Sequence, residues 1–255
     1  MLKIAVCFKY VLDEVDIKVD VATRTLKKER VAMKISDYDR NAIEEGVLRA
    51  CEAGGTVTAI SAGSETIRKG FKDALSRGAD NGVFICDDTL ADASAAESAR
   101  VLAKAIEKGA YDLIIFGEGS SDMFCQQVGP RVAELLGYPV ISYVNKLSVK
   151  DEYIKAERKL EDGIEIVSCK LPAVVTVSSD INTLRIPGMK QILAAKKKPL
   201  EELCLSDIDI SREEILSYKT DSKEIATVMD RKKILYSGSD AVTNLVNCLM
   251  SQGVI

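Results

Sequence analysis

The sequence predicts an α/β fold of three layers, a parallel sheet with helices on both faces, carrying an antiparallel strand-rich addition and a C-terminal arm. Two observations support this. Short apolar runs alternate four times with segments of helical periodicity, joined by short connections. Beyond about residue 140, strand-like runs follow one another with only turn residues between them. At 255 residues, 47% of them hydrophobic, the chain can bury a large core and still spare an extension.

The first run, Leu2–Phe8 (LKIAVCF), is rich in strand formers. Residues 13–30 are charged and alternating, and read as a hairpin excursion. Ser36 and Asp37 precede DRNAIEEGVLRACEAG, where Ala42, Ile43, Val47, Leu48 and Cys51 keep helical spacing. A Ser/Asp start and a Gly54-Gly55 stop punctuate that helix. The second strand is Thr56–Ser61, followed by a helix over Ser64–Arg77 that ends at Gly78. Val83–Cys86 is the third strand, and the alanine-rich helix Asp92–Lys108 stops at Gly109. Leu113–Phe116 (LIIF) is the fourth strand, followed by a loop over 117–126 and a helix over Gln127–Leu136.

Four strand-like runs come next, Ser142–Ser148, Tyr153–Leu160, Glu165–Cys169 and Ala173–Val177. They are expected as an antiparallel set on the edge of the parallel sheet. Periodicity then fades, apart from a short helix near Met189–Ala195 and an amphipathic helix over Ser239–Met250. The expected division is an α/β domain over 1–199 and an arm over 200–255, too thin to bury a core alone and expected to pack on the parent domain or on another chain.

Composition excludes several function classes. Histidine is absent, which removes imidazole-based nucleophilic and acid–base catalysis and imidazole-bound metals. The net charge is −4, with 5% aromatic residues and no tryptophan, a poor match to a nucleic-acid partner. Seven widely spaced cysteines without a CxxC pair point to free thiols rather than a disulfide framework or a zinc site. No apolar run reaches the roughly 18 residues of a membrane span. The start MLKIAVCFKY lacks a signal-peptide core. A cytoplasmic protein that does not insert into membranes is expected.

Ligands of open parallel sheets sit outside the carboxyl ends of the strands, near the switch in strand order. Three segments fall there: Cys7-Phe8-Lys9, Ser61-Ala62-Gly63 and Gly117–Gly129. The third reads GEGSSDMFCQQVGP; its glycines permit close backbone approach, and the helix that follows offers free N–H groups to a phosphate. An ordinary polar loop would suit the same sequence equally well. Neither GxGxxG nor the P-loop pattern occurs, nor a Ser-Gly-Gly-x-Asp-Ser loop of ATP pyrophosphatases, so nucleotide cleavage is not expected. Asp13, Glu14 and Asp16, and the pair Asp87-Asp88, fit solvated loops better than a cation site. Cys7 and Cys125 fit ligand flanks or small apolar packers. Lys196-Lys197-Lys198 reads as a solvated turn, and Met189, Ile192 and Leu193 as core or as an exposed anchor for another protein.

Taken together, residues 1–200 resemble the small (β) subunit of an electron-transfer flavoprotein. The resemblance rests on VCFK after the first strand, ISDYDRNAIEEGVLRA, SAG followed by SRGAD, GEGSSDMFCQQVGP, and LPAVVTVSSDINTLRIPGMKQILAAKKKP. Within the family, the opening FKYVLDE, GSSD, QQVG and DIN-x-x-x-IP-x-MK resemble the Fix-type branch linked to anaerobic carnitine or enoyl-CoA reduction. The resemblance implies a Rossmann-like sheet of the adenine-nucleotide α-hydrolase kind and a heterodimer with a larger α subunit that holds flavin adenine dinucleotide (FAD). It implies AMP in the β-subunit cleft of housekeeping members and a second FAD in bifurcating ones. The cofactor would supply the redox chemistry, making the chain an electron carrier rather than an enzyme.

Carried over residue by residue, the adenylate contacts fall on Cys7, Phe8, Lys9, Ser36, Asp39, Ala62, Ser120, Met123, Gln126, Gln127 and Val128. Partner docking falls on Arg185–Lys198, with Arg185, Met189, Ile192 and Leu193 in it and Met189 at the anchor position. The last 55 or so residues are implied to wrap the α subunit. Two departures stand out. The family's second loop acid is replaced around Met123-Phe124, and its Asn-x-Pro-Arg has become Asn182-Thr183-Leu184-Arg185. Three readings follow: a subunit carrying FAD that helps split electron pairs from NADH, with an acyl-CoA dehydrogenase or reductase as partner; a housekeeping subunit holding AMP; and a stand-alone adenine-nucleotide sensor.

Overall fold

Nine strands build the main sheet: β1 (Lys3–Cys7), β2 (Thr56–Gly63), β3 (Asn81–Cys86), β4 (Leu113–Gly117), β5 (Val140–Lys150), β6 (Tyr153–Leu160), β7 (Gly163–Lys170), β8 (Ala173–Val177) and β9 (Leu200–Leu203). Their order is β7-β6-β5-β8-β4-β1-β2-β3-β9. The computed structural model describes residues 1–20, 22–215 and 233–255. Residues 1–17 and 28–215 form one unit containing the sheet.

Alternation within the strands explains the layers. Ile4 and Val6 of β1, with Leu113 and Ile115 of β4, pack into a core under α1 (Asp37–Ala53) and α2 (Arg68–Ser76). Ala5, Cys7, Ile114 and Phe116 point the other way, into a second core under α3 (Ala95–Gly109) and α4 (Val128–Leu136). Strands buried on both faces need apolar residues at every position, and these are the uniform runs visible in the sequence. The predicted three-layer architecture is the one adopted.

The chain leaves β1 through α1 to β2, and through α2 to β3, all on one side of β1. Through α3 it then returns to β4 on the other side of β1. The switch in strand order therefore lies between β1 and β4, and it opens the crevice of the site at their carboxyl ends.

Two expectations are corrected. Ala173–Val177 is not part of the antiparallel set: β8 lies parallel between β4 and β5, with all five residues buried. Its sequence AVVTV is apolar on both faces, as a central strand requires. Only β6 and β7 extend β5 antiparallel. Tyr143, at φ 60°, stands at the irregularity where the register between β5 and β8 shifts, before pairing resumes at Val144. The second correction moves the boundary at 199/200. β9 pairs in parallel with β3 at the far edge, and Leu203, Leu205, Ile208, Ile210 and Ile215 join the second core. Arg212, at the start of the short helix α6 (Arg212–Ile215), bonds the buried Asp87 at 2.9 Å. Residues 200–215 thus belong to the main unit.

The second unit comprises residues 18–27 and 233–255 as far as described. It contains the predicted hairpin, Lys18–Val19 paired with Leu26–Lys27, and helix α7 (Ala241–Ser251), close to the predicted amphipathic segment. Residues 216–232 of the expected arm lie outside the described residues. In the main unit, α5 (Met189–Ala195) forms where a short helix was expected and packs on α2. Among the described residues, no helix is long and apolar enough to cross a membrane.

Candidate functional site

A cleft of about 420 Å³ opens at the carboxyl ends of β1, β2 and β4. Cys7, Phe8 and Lys9 enter it from β1 and Ala62 from β2. From the loop after β4 come Ser120, Met123 and Gln126, followed by Gln127 and Val128 at the start of α4. Asp39 reaches it from the first turn of α1. Ten of the eleven residues carried over from the resemblance therefore line one cavity.

Ser36 is the exception. It is fully buried and stands behind the wall. Its hydroxyl accepts the Ser121 N–H at 3.2 Å and makes no cap hydrogen bond to its own helix. The Asp37 N–H, an orphan donor at the helix start, is instead satisfied by the Ser121 hydroxyl at 3.0 Å. Helix α1 and the loop after β4 thus cap each other.

Asp39 ties the two strand ends at the switch. Its carboxylate accepts the Lys9 N–H at 2.8 Å and the Gly117 N–H at 3.1 Å. Burial pushes its carboxyl up to about 7, against the pull of those two N–H groups and of the Lys9 charge. Gly117 has no room for a side chain here, since a Cβ would come 2.6 Å from the Asp39 carboxylate. Cys7 is buried beside Asp39, and burial followed by that charge holds its thiol well above the usual range. A thiol held protonated in this way suits packing rather than nucleophilic attack.

The ammonium of Lys9, a lining residue of the cleft, pairs with Asp122 at 2.7 Å. Burial alone would raise the Asp122 carboxyl, but hydrogen bonds from Lys9 and Ser120, with the Lys9 charge, hold it below the usual range. Helix α4 has Gln127 at its N-cap position without a side-chain cap hydrogen bond, and Gln127, Val128 and Gly129 at its start line the cleft. The Gln127 amide oxygen is held by the Arg131 guanidinium at 3.1 and 3.2 Å. Sequence reasoning missed one wall altogether. Leu90, Ala93, Ser94 and Ser98, after β3 and into α3, also line the cleft. The signal was available: β3 is parallel to β2, so its carboxyl end opens on the same rim.

A family model described as electron transfer flavoprotein domain matches residues 23–208, well over half of the chain. The chain belongs to the electron-transfer flavoprotein family. The expectation of this family, made from motifs, is thereby met, and a role in electron transfer with flavin or nucleotide association comes with it.

The segment on which the resemblance puts partner docking leaves the sheet after β8. Asn182 is fastened to α1, donating to the Asn41 carbonyl at 3.0 Å and to Glu45 at 3.1 Å. The Asn41 amide returns a bond to the Asn182 side chain at 3.0 Å. Arg185 pairs with the buried Glu44. Beyond this anchorage, Met189, Ile192 and Leu193 of α5 are exposed rather than core. Lys198 is no solvated turn residue, since its ammonium donates to the carbonyls of Leu75 and Ala79 at the end of α2.

Other candidate clusters are already occupied by a cation of the chain itself. The Lys34 ammonium sits among Asp13, Glu14 and Asp37 at 3.3, 2.9 and 3.0 Å. Glu65, Cys86 and Glu202 converge, but the Arg68 guanidinium bonds both carboxylates.

Proposed function

We propose that this chain is the small (β) subunit of a heterodimeric electron-transfer flavoprotein of the bifurcating, Fix-type branch, with the adenylate half of FAD in the cleft at the β1/β4 switch. The observation that carries the reading is an uncapped α4 N-terminus and Lys9 lining the same cleft of mononucleotide-scale volume. The residues fit the group. The N–H groups of α4 suit a phosphate. Glycine at 129 lets α4 sit where a Cβ would come 2.6 Å from Thr176. Phe8, Phe116, Leu90 and Leu102 offer apolar walls to a base.

A bound flavin supplies the hydride and single-electron chemistry. The chain's part is to bind and orient: Asp39 fixes both strand ends, Ser36 and Ser121 hold the loop, and Lys9 brings positive charge. The absence of histidine from the sequence fits a carrier whose side chains transfer no proton in the chemical step, and so a non-enzymatic subunit. Arg185, Met189, Ile192 and Leu193 would present the docking surface to an acyl-CoA dehydrogenase or reductase, with Met189 as the inserting side chain. NADH would be the electron source.

Co-producing the chain with the family's large subunit and counting cofactors per complex tests the reading. Two FAD molecules are expected. One FAD with one AMP would move the chain to the housekeeping branch. Failure to form any complex would favour a stand-alone nucleotide sensor.

A further inference from the structure

The cleft is short of positive charge. Among the described residues that line it, Lys9 alone has a cationic side chain, whereas Asp39 and Glu118 are acids. Nearby cations are committed elsewhere: Lys34 and Arg40 bond Asp37, and Arg131 bonds Gln127. Lys9 itself is held at both ends, its backbone N–H by Asp39 and its ammonium by Asp122. An adenylate phosphate arriving at α4 therefore meets a lysine whose charge is already balanced.

We propose that Asp122 is a specificity-determining residue, which by holding Lys9 as its own counter-ion limits the anionic charge that the cleft accepts. The inference rests on reading the cleft as an adenylate site. Its physical content is competition: ligand phosphate and the Asp122 carboxylate seek the same ammonium, and a more highly charged ligand loses more when that ammonium is withheld. Mononucleotides and singly charged phosphodiester groups are then favoured over nucleoside di- and triphosphates. The Lys9 and Asp122 side chains are 49% and 34% exposed, so solvent screening keeps the effect moderate.

The test titrates adenosine, AMP and ADP into the full chain, co-produced with its large subunit and freed of bound nucleotide. Wild type is compared with Asp122→Asn, Lys9→Met and the double variant. Asp122→Asn is expected to leave adenosine unchanged and to tighten AMP by roughly two- to five-fold. ADP should gain more than AMP, and both gains should shrink at high salt. In the double variant the gain should vanish, because Lys9 is the group released. Should Asp122→Asn not fold, Asp122→Ser removes the same carboxylate with a smaller side chain.

Equal shifts for adenosine and AMP, no change for AMP, or a gain that survives loss of Lys9 would each overturn the inference while leaving the adenylate site intact. If neither adenosine nor AMP binds wild type or any variant, the adenylate reading itself falls, and this inference with it.

Discussion

The Ser36 hydroxyl and the Ser121 N–H meet at 3.2 Å across 85 positions of sequence, and through this contact helix α1 and the loop after β4 complete one another's hydrogen bonding. Ser121→Ala removes the group that accepts the Asp37 N–H, and its expected cost is that of a lost N-cap, about 1 kcal/mol. Ser36→Ala strands the Ser121 N–H and should cost a similar amount. Because both substitutions break one network, the double variant should lose less than the sum of the singles. Urea unfolding of all three checks this; strict additivity would refute the shared cap.

Asp39 predicts a pH dependence of stability. Its folded carboxyl titrates at about 7, against about 4 for an unfolded aspartate. A raised folded value means that the folded state binds more protons between those limits. Its contribution is therefore full below about pH 4 and is lost as pH rises through 7. Each pH unit between the two values is worth about 1.4 kcal/mol, so the loss is on the order of 4 kcal/mol. Asp39→Asn should flatten the decline in unfolding free energy between pH 5 and 8. It should also be less stable at pH 5, since an amide can accept only one of the two N–H groups.

How much of this was legible in the sequence depends on what each element buries. The four βα alternations were, because β1 and β4 are apolar at every buried position and the first helix is bounded by Ser36 and Gly54. β8 was misplaced because AVVTV follows two hairpin strands, and local sequence does not reveal that its neighbours in the sheet come from residues 113–117 and 140–144. The cleft walls after β1, β2 and β4 were legible from strand ends plus motif resemblance. Ser121, Asp122 and the wall after β3 were not, since their roles depend on contacts across many positions. Asn41 and Glu44 read as ordinary polar helix residues until the segment after β8 supplies Asn182 and Arg185.

The Gly129 position should be intolerant of even one methyl group. A Cβ there would lie 2.6 Å from the Thr176 Cγ2 in buried β8, and neither partner is a flexible chain end. Gly129→Ala is expected to cost about 1–3 kcal/mol through overpacking and to push the first turn of α4 off the sheet. AMP binding should weaken with it. Adding Thr176→Ser removes the clashing methyl, so the double variant should regain both stability and binding. A double variant no better than Gly129→Ala would show that the close approach is not what fixes α4.

Asn182 separates anchorage of the segment after β8 from ligand binding. Asn182→Ala removes the donors to the Asn41 carbonyl and to Glu45, and the acceptor for the Asn41 amide. Leaving those groups short of partners should cost about 1–3 kcal/mol. Burial already raises the Glu45 carboxyl, while the Asn182 hydrogen bond and the Arg49 charge pull it down. Without Asn182 the carboxyl rises further, so the stability lost should be larger at pH 8 than at pH 5, where the group is closer to neutral. Asn182 does not line the cleft, and AMP affinity should stay within error of wild type. Urea unfolding at both pH values, with an AMP titration beside it, checks the claim. A loss independent of pH would remove Glu45 from the argument, and a matching fall in AMP affinity would mean that the anchorage on α1 also supports the cleft.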